Sequence, residues 1–195
     1  MCLWNSKSVM LPLFVASLAG CGSGGGGSLT YAETYALYSD AFALLETDTR
    51  GTDLPTTGQA RYSGGINLFF RDDVGVNSGV QFAGALDMTA DFAADSFTGS
   101  ATNFVSTEDE AVEGTITIGA ADSIISRPAD FSAQVVADVI GTLTDADGLA
   151  YATTMTLTGS FTNGTDLFLG SMDGTYDTGD GPRPAEGQVA GTPMP

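Results

Sequence analysis

Few side chains in this sequence are equipped for chemistry. It holds two cysteines, 24 acidic residues and no histidine. Without imidazole, the commonest general base and the commonest transition-metal ligand are both missing, which excludes serine-histidine catalysis and histidine zinc sites. Carboxylates alone can hydrolyse glycosides, but only when two of them face each other about 5 to 9 Å apart. Here the acids are scattered along the chain and no spacing pairs them. The sequence therefore offers no catalytic residue and reads as a non-enzyme.

The thiols are more informative. Cys21 closes the tetrapeptide Leu18-Ala19-Gly20-Cys21, preceded by a single charge at Lys7 and an apolar run from Val9 to Ala19. This is the layout of an export signal. A membrane-spanning helix needs about 20 residues, which this run does not reach. Small residues before the cysteine let an extended backbone enter a narrow protease site, and the thiol is the nucleophile that accepts a diacylglycerol. Leu18, Ala19, Gly20 and Cys21 thus resemble the lipobox of bacterial lipoproteins, with Cys21 the expected lipid attachment. Gly22-Ser23-Gly24-Gly25-Gly26-Gly27-Ser28 follows as a flexible leash. Each buried acyl methylene contributes about 0.8 kcal/mol, so two or more chains hold a domain stably. Gly22 stands where aspartate commonly retains lipoproteins in the inner membrane. Outer-membrane or surface placement in a bacterial envelope is expected.

Cys2 leaves with the signal and Cys21 is consumed by lipid, so no disulfide or thiolate metal site remains. No metal and no cofactor are expected. All five arginines and all 24 acids follow Cys21, giving the mature chain a formal charge of about -19. Such a surface repels nucleic acid, whose binding depends on Lys and Arg neutralising phosphates. Spread along the chain, the acidity reads as a solubility feature. Asp145-Ala146-Asp147-Gly148 has the first half of a calcium loop, yet Leu149-Ala150-Tyr151-Ala152 supplies no later ligand, leaving a hairpin turn. Glu108-Asp109-Glu110 with Glu113 reads as a solvated loop.

The elements that position these groups change character once. Residues 30–47 form an amphipathic helix, with Tyr31, Tyr35, Tyr38, Phe42 and Leu45 as an aromatic stripe packed on a sheet. Thr30 is its N-cap, with Glu33 as box partner. After Leu54-Pro55 the pattern is alternation: Val80, Phe82, Gly84, Leu86, Met88, Ala90 and Phe92 share one face, and Phe131 through Leu143 and Met155 through Phe161 repeat it. Turn residues divide the remainder into strands near 58–70, 80–92, 95–105, 113–119, 129–144, 149–162, 166–177 and 186–192. Antiparallel strands joined in sequence by short turns predict a mainly β fold, an eight-stranded antiparallel up-and-down β-barrel with a short N-terminal helix. A two-sheet sandwich shares the same local signals. The segments are a signal peptide at 1–20, lipidated cysteine and tether at 21–28, helix and linker at 29–54 and the barrel at 55–195.

Leu54-Pro55-Thr56-Thr57-Gly58-Gln59-Ala60-Arg61-Tyr62-Ser63-Gly64 resembles the opening strand of barrel domains in transferrin-binding protein B and related surface lipoproteins. Leu86 to Ala93, Ser96-Phe97-Thr98-Gly99, Gly159-Ser160-Phe161, Phe168-Leu169-Gly170 and Ala185 to Gly191 are similar to later elements of that family, in the same order. The resemblance implies an eight-stranded barrel on a surface lipoprotein that captures a host factor. It carries fold and placement to this chain, and assigns no residue as a host-protein contact. The expected partners are a membrane, through the lipid, and a host or environmental protein or small solute, held by strand-end loops 71–79, 106–112 and 178–184. The alternative is a structural envelope lipoprotein with no dedicated ligand.

Overall fold

The computed structural model describes residues 29–44, 54–73, 78–127, 134–162 and 165–195. One helix, α1 (Tyr31–Ala43), precedes eight strands: β1 (Gln59–Arg71), β2 (Gly79–Asp91), β3 (Ser96–Ser106), β4 (Ala111–Ser126), β5 (Gln134–Thr144), β6 (Ala150–Thr162), β7 (Leu167–Asp177) and β8 (Pro182–Pro193). Each strand pairs antiparallel with the next, and β1 also pairs with β8, from Tyr62 opposite Pro193 to Phe70 opposite Ala185. That last ladder closes the sheet, so the molecule is an up-and-down barrel rather than a sandwich and leaves no strand edge open.

Period-two patterning produces the closure. In β6, Tyr151, Thr153, Met155, Leu157 and Phe161 are buried, while Thr154, Thr156 and Thr158 between them are exposed. The buried set faces inward, where aromatic rings form two layers. At one end Tyr62, Phe92, Phe97, Phe161 and Phe168 meet with centroids as close as 4.5 Å. At the other, Phe70, Phe82, Tyr151 and Tyr176 meet at 4.8 to 5.8 Å. Ile66, Leu68, Leu86, Met88, Ile116 and Leu157 are buried with them in the same core. Each such side chain contributes about 1.5–3 kcal/mol through burial. Phe92, expected in the core, is buried; Phe131 lies outside the described residues.

The helix lies on the outer wall, against β1, β8 and β2. Its N-terminus is the expected capping box: Thr30 Oγ1 accepts from Glu33 N, and the Glu33 carboxylate accepts from Thr30 N. It ends at Ala43 with Leu44 as C-cap, earlier than the expected 47, and residues 45–47 lie outside the described part. The buried stripe also differs from the expected one. Thr34, Tyr38 and Ala41 face the wall, Tyr31 and Tyr35 are half-buried, and Phe42 is 46% exposed. The reason is Gly65, which points outward beneath the helix: a Cβ there would sit 2.3 Å from Tyr38 N. So close an approach seats the backbone of Tyr38 directly on β1, which turns Thr34, Tyr38 and Ala41 to the wall and leaves Tyr31, Tyr35 and Phe42 at the flanks.

β4 is longer than the expected 113–119. Its register against β5 jumps between Ile118 opposite Val139 and Ser123 opposite Ala137. The bulge is held by Asp138, whose carboxylate accepts from Ala121 N and Asp122 N at 3.2 and 2.8 Å. Gly119 begins it in the left-handed region at φ 67°.

Candidate functional site

The lipobox residues Leu18, Ala19, Gly20 and Cys21 lie outside the described residues. The structure does fix the point at which the chain that follows them joins the domain. Tyr31 N, at the first turn of α1, donates to Asp109 Oδ1 at 2.7 Å. Asp109 sits in the β3–β4 turn with φ 63°. This contact ties the start of the helix to one end of the barrel. From there α1 descends the wall until Leu37, Asp40, Ala41 and Leu44 lie beside Ser63, Gly64, Leu86 and Thr192.

Because the strands alternate in direction, the turns fall into two sets. The β1–β2, β3–β4, β5–β6 and β7–β8 turns share the end where the helix begins. The β2–β3, β4–β5 and β6–β7 turns share the other, with Leu54 and Pro55 leading in. The three loops singled out from the sequence, 71–79, 106–112 and 178–184, therefore belong to one end, together with 145–149. Its described acids are Asp72, Asp73, Glu108, Asp109, Glu110, Asp145, Asp147, Asp177 and Asp180, against Arg71 and Arg183. Arg71 is paired with Glu186 at 2.7 Å, which holds the Glu186 carboxyl below the usual carboxylate range. At the opposite end the described charges are Asp91, Asp95, Asp122 and Asp166 against Arg61 and Arg127.

Three acids among the described residues, Asp91, Asp145 and Asp177, bind the backbone of their own turns. Asp145 Oδ1 accepts from Asp147 N and Leu149 N, and its Oδ2 accepts from the Tyr151 hydroxyl at 2.9 Å. Burial, reinforced by that carboxylate, pushes the Tyr151 phenol well up. The half calcium loop is thus a hairpin turn whose first aspartate binds its own backbone. Asp177 Oδ1 does the same for Gly179 N and Gly181 N. Among the described residues no three His, Cys, Asp or Glu side chains converge as a metal site. At the far end Arg127 pairs with Asp95 and donates to the carbonyls of Pro55 and Phe92, stapling the lead-in segment to the β2–β3 turn.

Clefts lie on the outer wall. One of 580 Å³ runs between Leu29 and the β3–β4 wall, and one of 220 Å³ is lined by Asn67, Phe69, Asp173, Glu186 and Gln188. Beside the latter, Tyr38 donates its hydroxyl to Gln188 Oε1 at 2.6 Å. Tyr62, facing inward at the far end, is fully buried and its hydroxyl has no hydrogen-bond partner among the described residues; burial raises its pKa, with Asp166 adding to the shift.

Sequence reading missed the collection of acids at one end, because those acids come from turns separated by tens of residues. It also missed the role of Asp109, whose isolated loop position carries no signal of a helix N-terminus nearby. Comparison with protein-family models, curated proteins and solved structures finds no match for this chain.

Proposed function

We propose that this chain is a bacterial envelope lipoprotein, anchored through lipid on Cys21, whose barrel offers its outer surface to a partner protein. The observation that carries this reading is the order of parts: lipobox, glycine leash, capped helix and closed barrel. The rings that meet across the interior leave the outer wall and the turns as the surfaces available for binding, which favours a protein partner over a small solute held in the lumen. Outward positions such as Thr154, Thr156, Thr158 and Asp173 are polar, which suits a domain standing in water on a leash better than one embedded in lipid. Among the described residues no helix is long and apolar enough to cross a membrane.

A structural envelope lipoprotein without a dedicated ligand is the second reading. It is favoured by the turn acids Asp145 and Asp177, which bind their own backbones rather than pointing to a ligand.

Two measurements test the proposal. Metabolic palmitate labelling should mark the native chain and fail on Cys21→Ala; equal label on both rejects the anchor. Vesicles bearing the acylated chain should then retain an iron-carrier or other envelope protein that bare vesicles do not. If no such protein is retained, the capture reading fails and the structural one stands.

A further inference from the structure

The geometry points to a fixed polarity: we infer that the acidic end of the barrel faces the bilayer and the end bearing the β2–β3 turn is presented outward. This rests on the anchoring proposed above. Its structural basis is the bond from Tyr31 N to Asp109, which places the start of the folded chain beside the β3–β4 turn. The eight residues from Gly22 to Leu29 reach at most about 26–29 Å when fully extended. As a glycine-rich coil their mean reach is about 14–17 Å. β1 has 13 residues, and with a rise of about 3.3 Å per residue and a tilt of about 40° the barrel stands about 33 Å tall. A barrel resting on its far end would hold the helix N-terminus near the fully extended limit of the leash and at about twice its mean reach. The leash therefore keeps the acidic end nearer the lipid.

Charge sets how near. The acidic end repels an anionic surface only within a Debye length, about 8 Å at physiological salt, which is shorter than the mean leash. The barrel thus stands off the bilayer without turning over. The described residues of loops 71–79, 106–112 and 178–184 then lie in the gap beneath it. A partner approaching from outside meets the β2–β3 turn around Ala94, the Arg127–Asp95 pair and the flank of α1.

The acylated full-length mature chain, inserted in zwitterionic vesicles carrying a headgroup energy acceptor, tests this. With Cys21 blocked by lipid, Asp147→Cys and Ala94→Cys each introduce one labelling site, both on exposed turns at opposite ends. Energy transfer from the Asp147→Cys label should exceed that from the Ala94→Cys label several-fold. A leash about three times longer, with a mean reach about 1.7-fold greater, should narrow the difference. Equal or reversed transfer in vesicles that carry the protein on flotation overturns the polarity alone. A chain that fails to float with the vesicles overturns the anchoring and the polarity together.

Discussion

Replacing Gly65 with alanine tests how the helix is seated. The added Cβ would lie 2.3 Å from Tyr38 N and 2.8 Å from Tyr38 Cα. Favourable non-bonded contact needs about 3.5–4.0 Å, so α1 must retreat by roughly 1 Å along the turn that buries Thr34, Tyr38 and Ala41. Overpacking of this kind costs about 1–3 kcal/mol. Loss of glycine's freedom in the unfolded chain returns about 0.4–1 kcal/mol. The net destabilisation of helix docking is about 1–2 kcal/mol, which raises the undocked population about 5- to 30-fold. Chymotrypsin reads this directly, because Tyr35, Tyr38 and Phe42 offer cleavage sites once the helix lifts, and cleavage tracks the open population when opening is fast. Gly65→Ala should accelerate cleavage in α1 by that factor while the far-ultraviolet strand signal stays unchanged. If the cleavage rate does not change, the close seat of the helix on β1 is wrong.

Phe161 meets Tyr62, Phe92, Phe97 and Phe168 at 5.2 to 6.2 Å, and Phe161→Ala should cost about 3–5 kcal/mol in urea unfolding; a loss under about 1 kcal/mol would mean that the interior packing is wrong. Tyr62→Phe removes a buried hydroxyl that has no partner among the described residues, so it should leave stability unchanged or raise it by up to about 1 kcal/mol, and a clear loss would reveal a partner for that hydroxyl. Glu186, lowered by Arg71 below its ordinary 4.5, binds fewer protons folded than unfolded. Its contribution is therefore present above pH 4.5 and lost as pH falls through the folded value. Glu186→Gln should be less stable than the native chain at neutral pH and converge with it in acid, and a constant gap would refute the linkage. Tyr31, pushed up to about 12 by burial with Tyr35 adding, contributes stability that is full below pH 10 and lost between 10 and 12; absorbance titration of Tyr31→Phe against the native chain should show one high-pH phenol missing.

The strands that keep strict alternation were legible in the sequence. β2, β6 and β7 begin and end within one residue of where turn residues and period two place them. β4 was not, because Ile118 and Ile125 both face inward although they lie an odd number of residues apart. The bulge that absorbs the mismatch is held by Asp138, a residue of the next strand, and alternation within one strand carries no sign of it. Val80 was expected to share the buried face of Phe82 but is 37% exposed, since it stands at the rim where the barrel interior ends. In the helix, hydrophobicity favours Phe42 as a core residue, yet the turn seated on Gly65 is that of Tyr38, which brings Thr34 and Ala41 rather than Phe42 to the wall. Of the candidate site, the proposed lipobox rests on the sequence motif alone, whereas the proposed polarity of the barrel depends on one hydrogen bond between residues 78 apart in sequence.

Mass spectrometry of the intact chain purified from membranes tests the central claim most directly. The account predicts a polypeptide that begins at Cys21 and carries a diacylglyceryl group on that thiol. A mature chain beginning at any other residue, or one with an unmodified Cys21, would contradict it.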